Sequence, residues 1–154
     1  KSPTEAIGFG SIHGKGKKAS KILGIANGSI WLRGKDVDSI YKVEEIKGGY
    51  QTKSVFKKAG VNLEDNSIME KDKIYYVSPD ETKLIMFDIN TGEDREIYTT
   101  PNKNIKILAA IGDNILISEW VKDNEHVNYY DAVNDKLAKN YYINNSGKVL
   151  YELD

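Results

Sequence analysis

"DKIYYVSPDETKLIMFDINTGE", residues 72–93, decides the fold. Two apolar runs, residues 74–77 (IYYV) and 84–87 (LIMF), flank the polar stretch 78–82 and lead into the turn signal Asn90-Thr91-Gly92. Short runs rich in β-branched and aromatic residues, bounded by Pro, Gly, Asn and Asp, read as hairpin strands. The runs are continuous rather than alternating, so apolar side chains point to both faces of the sheet and both faces must be covered.

Working outward, two further stretches fall in the same register. Ile30, Ile74 and Ile115 each follow a turn pair (Gly28-Ser29, Asp72-Lys73, Asp113-Asn114) and recur 44 and 41 residues apart. Glu44, Asp88 and Asp131 each close the next apolar run and recur at 44 and 43. Two independent anchors with a period in the forties mark a repeat architecture. The repeats run approximately over 21–60, 65–102 and 105–144, within a single domain 1–154. Each parses into about four strands, in the middle copy at 67–69, 73–78, 83–89 and 95–99, and no window carries helical periodicity. The expected fold is all-β.

The segments "DKIYYVSPDETKLIMFDINTGEDREIYT" and "DNILISEWVKDNEHVNYYDAVNDKL" resemble blades of bacterial β-propeller repeat proteins. There a "G/D-x-I-Y-Y" second strand precedes a third strand ending in an apolar-Asp pair and an "N-T-G-E"-like turn. The likeness covers about residues 21–144 and is strongest in the middle copy. The first copy departs from it, with Glu44-Glu45 and Gly48-Gly49 in place of Asp and "NTGE". The resemblance implies a propeller-like array of about three four-stranded repeats. Propellers typically hold about four to eight blades, so self-association or a larger parent chain is expected to complete the ring of sheets. Residues 6–13 and 148–153 ("KVLYEL") are expected to add a strand at each end, with 145–154 as an extra terminal strand. A β-trefoil or a three-sheet β-prism fits three repeats of this length as the alternative.

Composition narrows the function classes. At 154 residues the chain can bury a core without disulfide staples. With 22 basic and 23 acidic residues, a net charge of −1 argues against a broad nucleic-acid binder. No cysteine is present, which removes disulfides, thiolate chemistry and Cys-based zinc sites. The longest apolar run near the middle, residues 107–111, is far short of the roughly 20 residues of a spanning helix, so no membrane span is expected. The chain begins at Lys1 rather than methionine, as a processed secreted or cell-surface protein would, and as a trimmed piece would.

Motifs that would carry chemistry fail on spacing. In "GFGSIHGKGKK", residues 8–18, Phe9 holds the position of the first glycine of a phosphate loop and Gly16 that of its hydroxyl residue. "DINTGED", residues 88–94, imitates the start of a calcium loop, but Gly92 occupies the third ligand position and Tyr98 the closing glutamate. A tight hairpin with Gly92 at positive φ is the better reading. Gly-x-Ser-x-Gly is absent, and His13 and His126 have no triad-like surroundings. Asn27-Gly28-Ser29 and Asn144-Asn145-Ser146 match a glycosylation triplet and equally match turn chemistry. The pairs Tyr75-Tyr76, Tyr129-Tyr130 and Tyr141-Tyr142 sit within expected strands and are assigned to packing between sheets.

What remains is one set of loops. Those between the second and third strands are 34–38 ("GKDVD"), 78–82 ("SPDET") and 121–126 ("VKDNEH"), and equivalent loops of a repeat project to one face. That face would gather Asp36, Asp38, Asp80, Glu81, Asp123, Glu125 and His126, with Trp120 ending the strand just before the third loop. An acidic rim suits a basic peptide segment or a divalent cation such as Ca2+; no other cofactor is implied. The plainer explanation is that loops are polar because they are wet. The expectation is a non-catalytic extracytoplasmic binding module that recognises a protein or carbohydrate ligand through these loops. The alternative is part of a propeller enzyme, either the substrate-gating domain of a serine peptidase or a glycan-processing enzyme.

Overall fold

The structure is a computed structural model and describes residues 21–101, 103–121 and 138–153. All regular structure among them is β, in twelve strands that form three separate four-stranded antiparallel sheets. The first sheet holds β1 (Lys21–Ala26), β2 (Ser29–Arg33), β3 (Ser39–Ile46) and β4 (Gly49–Lys57). The second holds β5 (Ser67–Glu70), β6 (Lys73–Val77), β7 (Lys83–Asp88) and β8 (Glu93–Thr99). The third holds β9 (Lys103–Ile111), β10 (Asn114–Val121), β11 (Ala138–Asn144) and β12 (Val149–Leu153). In each sheet the strands lie side by side in chain order.

Local turn chemistry closes the hairpins. Asn27 and Gly28 lie at φ 52° and 74°, the paired positive values of a two-residue turn whose twist matches its strands. Lys71-Asp72 and Gly112-Asp113 occupy the equivalent places, one residue ahead of the expected turn pairs. Gly92 sits at φ 74°, as a hairpin turn requires. There Asp88 Oδ1 accepts from the Asn90 and Thr91 amides at 2.8 and 3.4 Å, so the calcium-like "DINTGED" is a turn held by its own aspartate.

The chain divides into two compact units, Lys1–Asp65 and Asn66–Asp154. In the first, Trp31, Leu32, Ile40, Val43 and Phe56 of the sheet are buried, as are Val61 and Leu63 after β4. The Trp31 indole donates to the Ala26 carbonyl at 3.0 Å, and the Lys42 ammonium stands over its ring.

In the second unit two sheets pack face to face. Tyr75, Val77, Leu84, Met86 and Ile97 of the second sheet meet Ile105, Ile107, Ile115, Ile117 and Ile143 of the third. Burial removes each such side chain from water at a gain of about 1.5–3 kcal/mol. The opposite-face residues Ile74, Tyr76 and Phe87 are buried as well, so β6 is covered on both sides, as its unbroken apolar run demands. At the first strands the junction is clamped by Asn66. Its Nδ2 donates to the Ile105 carbonyl at 2.7 Å and its Oδ1 accepts from the Ile107 amide at 2.8 Å. One carboxamide thus stands in for a strand partner along the edge of β9.

The third sheet departs from the expected strand assignment. β10 pairs with β11, Ile115 opposite Ile143 and Ile117 opposite Tyr141, so the third strand of this repeat is the Tyr141-Tyr142 segment. Asp131 and Tyr129-Tyr130, expected to form it, lie outside the described residues, as do residues 6–18 with His13. Residues 149–153, expected as an added strand, are β12, the outer strand of the third sheet. The β11–β12 turn presses on the second sheet: Gly147 lies at φ 87°, and a Cβ there would overlap the Ile97 carbonyl oxygen.

Two substitutions test this junction. Asn66→Leu keeps side-chain size but removes both hydrogen bonds, and should cost about 2–3 kcal/mol in urea unfolding because the Ile105 and Ile107 backbone groups lose their partner. Gly147→Ala should cost about 2 kcal/mol or more, from positive φ and overlap together, read as a lower thermal midpoint.

Candidate functional site

The two described loops between second and third strands share one backbone frame. In the first, the Gly34 amide donates to the Ser39 carbonyl at 2.8 Å; in the second, the Ser78 amide donates to the Lys83 carbonyl at 2.9 Å. The Val37 carbonyl accepts from the Leu63 amide at 2.8 Å, and the Glu81 carbonyl from the Ile105 amide at 3.0 Å. A third pair joins the Lys58 amide to the Asp38 carbonyl and the Thr100 amide to the Thr82 carbonyl. Each loop is therefore structural as well as exposed, because its carbonyls seat the segment that leads into the following repeat. Leu63 and Ile105 are fully buried, so losing these bonds would strand buried amides.

Side chains on that frame differ. Asp80 serves the turn: its Oδ1 accepts from Ser78 Oγ at 2.7 Å, Thr82 Oγ1 at 2.8 Å and the Thr82 amide at 3.2 Å. These bonds, the Ser78 hydroxyl first, hold the Asp80 carboxyl below the usual carboxylate range. Glu81 adopts left-handed backbone, φ 63°, which turns its carbonyl toward Ile105. In the first loop Asp36 pairs with Lys57 at 3.6 Å, both side chains largely exposed, an interaction worth at most about 1 kcal/mol. Asp38 accepts from the Ser39 hydroxyl at 3.2 Å. Asp36 and Asp38 belong to the first unit, Asp80 and Glu81 to the second. Asp123, Glu125 and His126 lie outside the described residues.

Trp120 is only 8% exposed, on the face of β10 opposite Glu119, which leaves little of its ring to a ligand. Glu119 itself gives no signal in the sequence. It is a carboxylate 3% exposed within a strand, facing the second sheet, where the Tyr98 hydroxyl donates to its Oε2 at 3.1 Å. Burial, and next the Glu119 charge, raise the Tyr98 phenol above its ordinary value. Burial alone pushes Tyr76 up to about 12.

A cleft of about 450 Å3 opens in the second unit, lined by Lys73, Met86, Asp88, Glu93, Arg95 and Asn145 among others. Its two cations are engaged within the fold. Lys73 Nζ lies 2.9 Å from Asp88 Oδ2 and 3.4 Å from Asp72, and Arg95 donates to the Asn145 carbonyl at 2.9 Å. The Lys73–Asp88 hydrogen bond raises the lysine and lowers the aspartate, each toward its charged form. Sequence patterns could not assemble this cleft, because its two turns lie far apart along the chain.

Among the described residues no three His, Cys, Asp or Glu side chains converge to hold a metal ion, and no helix is long and apolar enough to cross a membrane. No protein-family model matches the chain, and a search of curated proteins returns no match.

The tyrosines predict alkaline sensitivity. In the unfolded chain they ionise near pH 10, while Tyr76 and Tyr98 stay neutral to higher pH when folded. Their stabilising contribution is full below about pH 10 and is lost as pH rises toward the folded values. Urea midpoints should fall above about pH 10. Tyr98→Phe, less stable at neutral pH by about 1–2 kcal/mol through its lost bond to Glu119, should close on the wild type as pH rises.

Proposed function

We propose that the chain is a propeller-type, non-catalytic binding module that engages a partner through the loops between the second and third strands of its repeats. The observation that carries this reading is the pair of described loops. They hold the same three backbone hydrogen bonds but present Lys35, Asp36, Val37 and Asp38 in one, and Pro79, Asp80, Glu81 and Thr82 in the other. A frame fixed by carbonyls leaves the tips free to vary, which is how rigid scaffolds display recognition residues. The perturbed titrations are consistent with a structural account, since turn hydrogen bonds, one ion pair and burial explain those of Asp80, Asp88, Lys73, Tyr76 and Tyr98.

The propeller reading is supported by three features: each sheet is a simple meander, β9 lies against β5 and β6, and each described loop bonds the lead-in to the next repeat. The resemblance to bacterial propeller repeats supports an extracellular or cell-surface setting. The partner is a protein segment of basic character. The described loops offer carboxylates and no aromatic platform, which favours a cationic peptide over a glycan.

Titration of the isotopically labelled chain with a Lys/Arg-rich peptide tests the reading. Amide shifts should concentrate at residues 35–38 and 79–82 and weaken as salt is added. Asp36→Asn and Glu81→Gln should each weaken binding by about fivefold, the equivalent of roughly 1 kcal/mol. Shifts spread evenly over the chain, or unchanged by both substitutions, would count against it.

A further inference from the structure

The cross-strand register shows two apolar faces that match the two sides of a junction already present in the molecule. Across the third sheet, Ile107, Ile117 and Tyr141 stand in one row, beside Ala110 opposite Ile115; this is the face that packs on the second sheet. Across the first sheet the same positions hold Ile22, Leu32 and Tyr41 in one row, beside Ile25 opposite Ile30. The rows match in type, down to the tyrosine. In the third sheet Ile107 is 7% exposed, whereas Ile22 and Ile25 of the first are 57% and 75% exposed.

The receiving side is repeated too. The second sheet receives the third on the row Ile68, Tyr75, Met86 and Arg95. The far face of the third sheet carries the equivalent row Ala109, Leu116, Tyr142 and Tyr151. Tyr151 is 67% exposed, and Ile111 on the same face 68%. Leu116 and Tyr142 between them are half-buried. Single exposed apolar residues are ordinary, but exposed residues at the edge of a row that duplicates a buried contact surface mark an interaction site.

We infer that this chain associates head to tail, the first-sheet face around Ile22 and Ile25 of one copy seating on the third-sheet face around Leu116, Tyr142 and Tyr151 of another. The occupant is a second copy because the molecule itself shows which surface covers a row of this kind, and among the described residues the first sheet presents the outer part of that surface, Ile22 and Ile25, to solvent, with Leu32 buried behind them. The contact is heterologous: the two surfaces differ, so each copy keeps one of each available until a ring closes. The faces are separate from the loop tips, so association and loop binding stand or fall independently.

Sedimentation equilibrium of the full chain, from low to high micromolar concentration, should show the mass rising from 17.3 kDa to at least twice that value. Ile25→Glu or Tyr151→Glu alone should return it to the single-chain mass with unchanged far-ultraviolet circular dichroism, since both side chains are exposed. Mixing the two variants should restore a two-chain species, because one intact junction survives between the undamaged face of each. A wild type that stays at the single-chain mass overturns the inference. So does association that tolerates Ile25→Glu, which puts the contact away from the first-sheet face, or a mixture of variants that stays single, which means the two faces do not complement one another.

Discussion

Apolar side chains on both faces of a strand leave a sheet no stable existence alone, and the second sheet is built under that constraint. Ile74, Tyr75, Tyr76 and Val77 are all buried although neighbouring side chains point in opposite directions. One of the two faces is covered by the third sheet, through Ile115, Ile117 and Ile143. The remaining features of that unit follow from this contact. Asn66 satisfies the β9 edge, Glu119 is carried inward opposite Tyr98, and the β11–β12 turn closes down until only glycine fits at 147.

Polar chemistry in this protein is mostly directed at its own turns. Asp80, Asp88 and Asn144 each accept several hydrogen bonds from residues within four positions. Asn144 Oδ1 takes the Ser146 and Lys148 amides together with the Ser146 hydroxyl, so the apparent glycosylation triplet is an Asx turn. Carboxylates that look available in the sequence are therefore partly committed. What a loop can offer a partner is the side chain its frame does not use, such as Asp36 or Glu81.

Much of the architecture was legible along the chain. The middle copy's strands fall within two residues of their expected ends, and the 44-residue spacing from Ile30 to Ile74 reappears between the loop carbonyls of Val37 and Glu81, which accept from the Leu63 and Ile105 amides. The candidate loops were legible as a set because they interrupt equivalent strands. Their backbone role was not, because a carbonyl carries no residue identity. Nor were Glu119, whose neighbours give no sign that it is buried, or the cleft, whose lining spans residues 73–145.

By itself the sequence determined the elements that depend on nearest neighbours: β-strands in place of helices, tight turns to within one residue of the expected pairs Gly28-Ser29 and Asp72-Lys73, and the recurrence of a four-stranded unit. Tertiary structure alone decided the partner choices. In the third repeat two tyrosine pairs, Tyr129-Tyr130 and Tyr141-Tyr142, offer the same local pattern, and β10 takes its neighbour from the second. Strand propensity is blind to that choice. It is made by which pairing carries Ile143 into the face shared with the second sheet, and burial at a distance is a property of the folded chain, not of any short stretch of it.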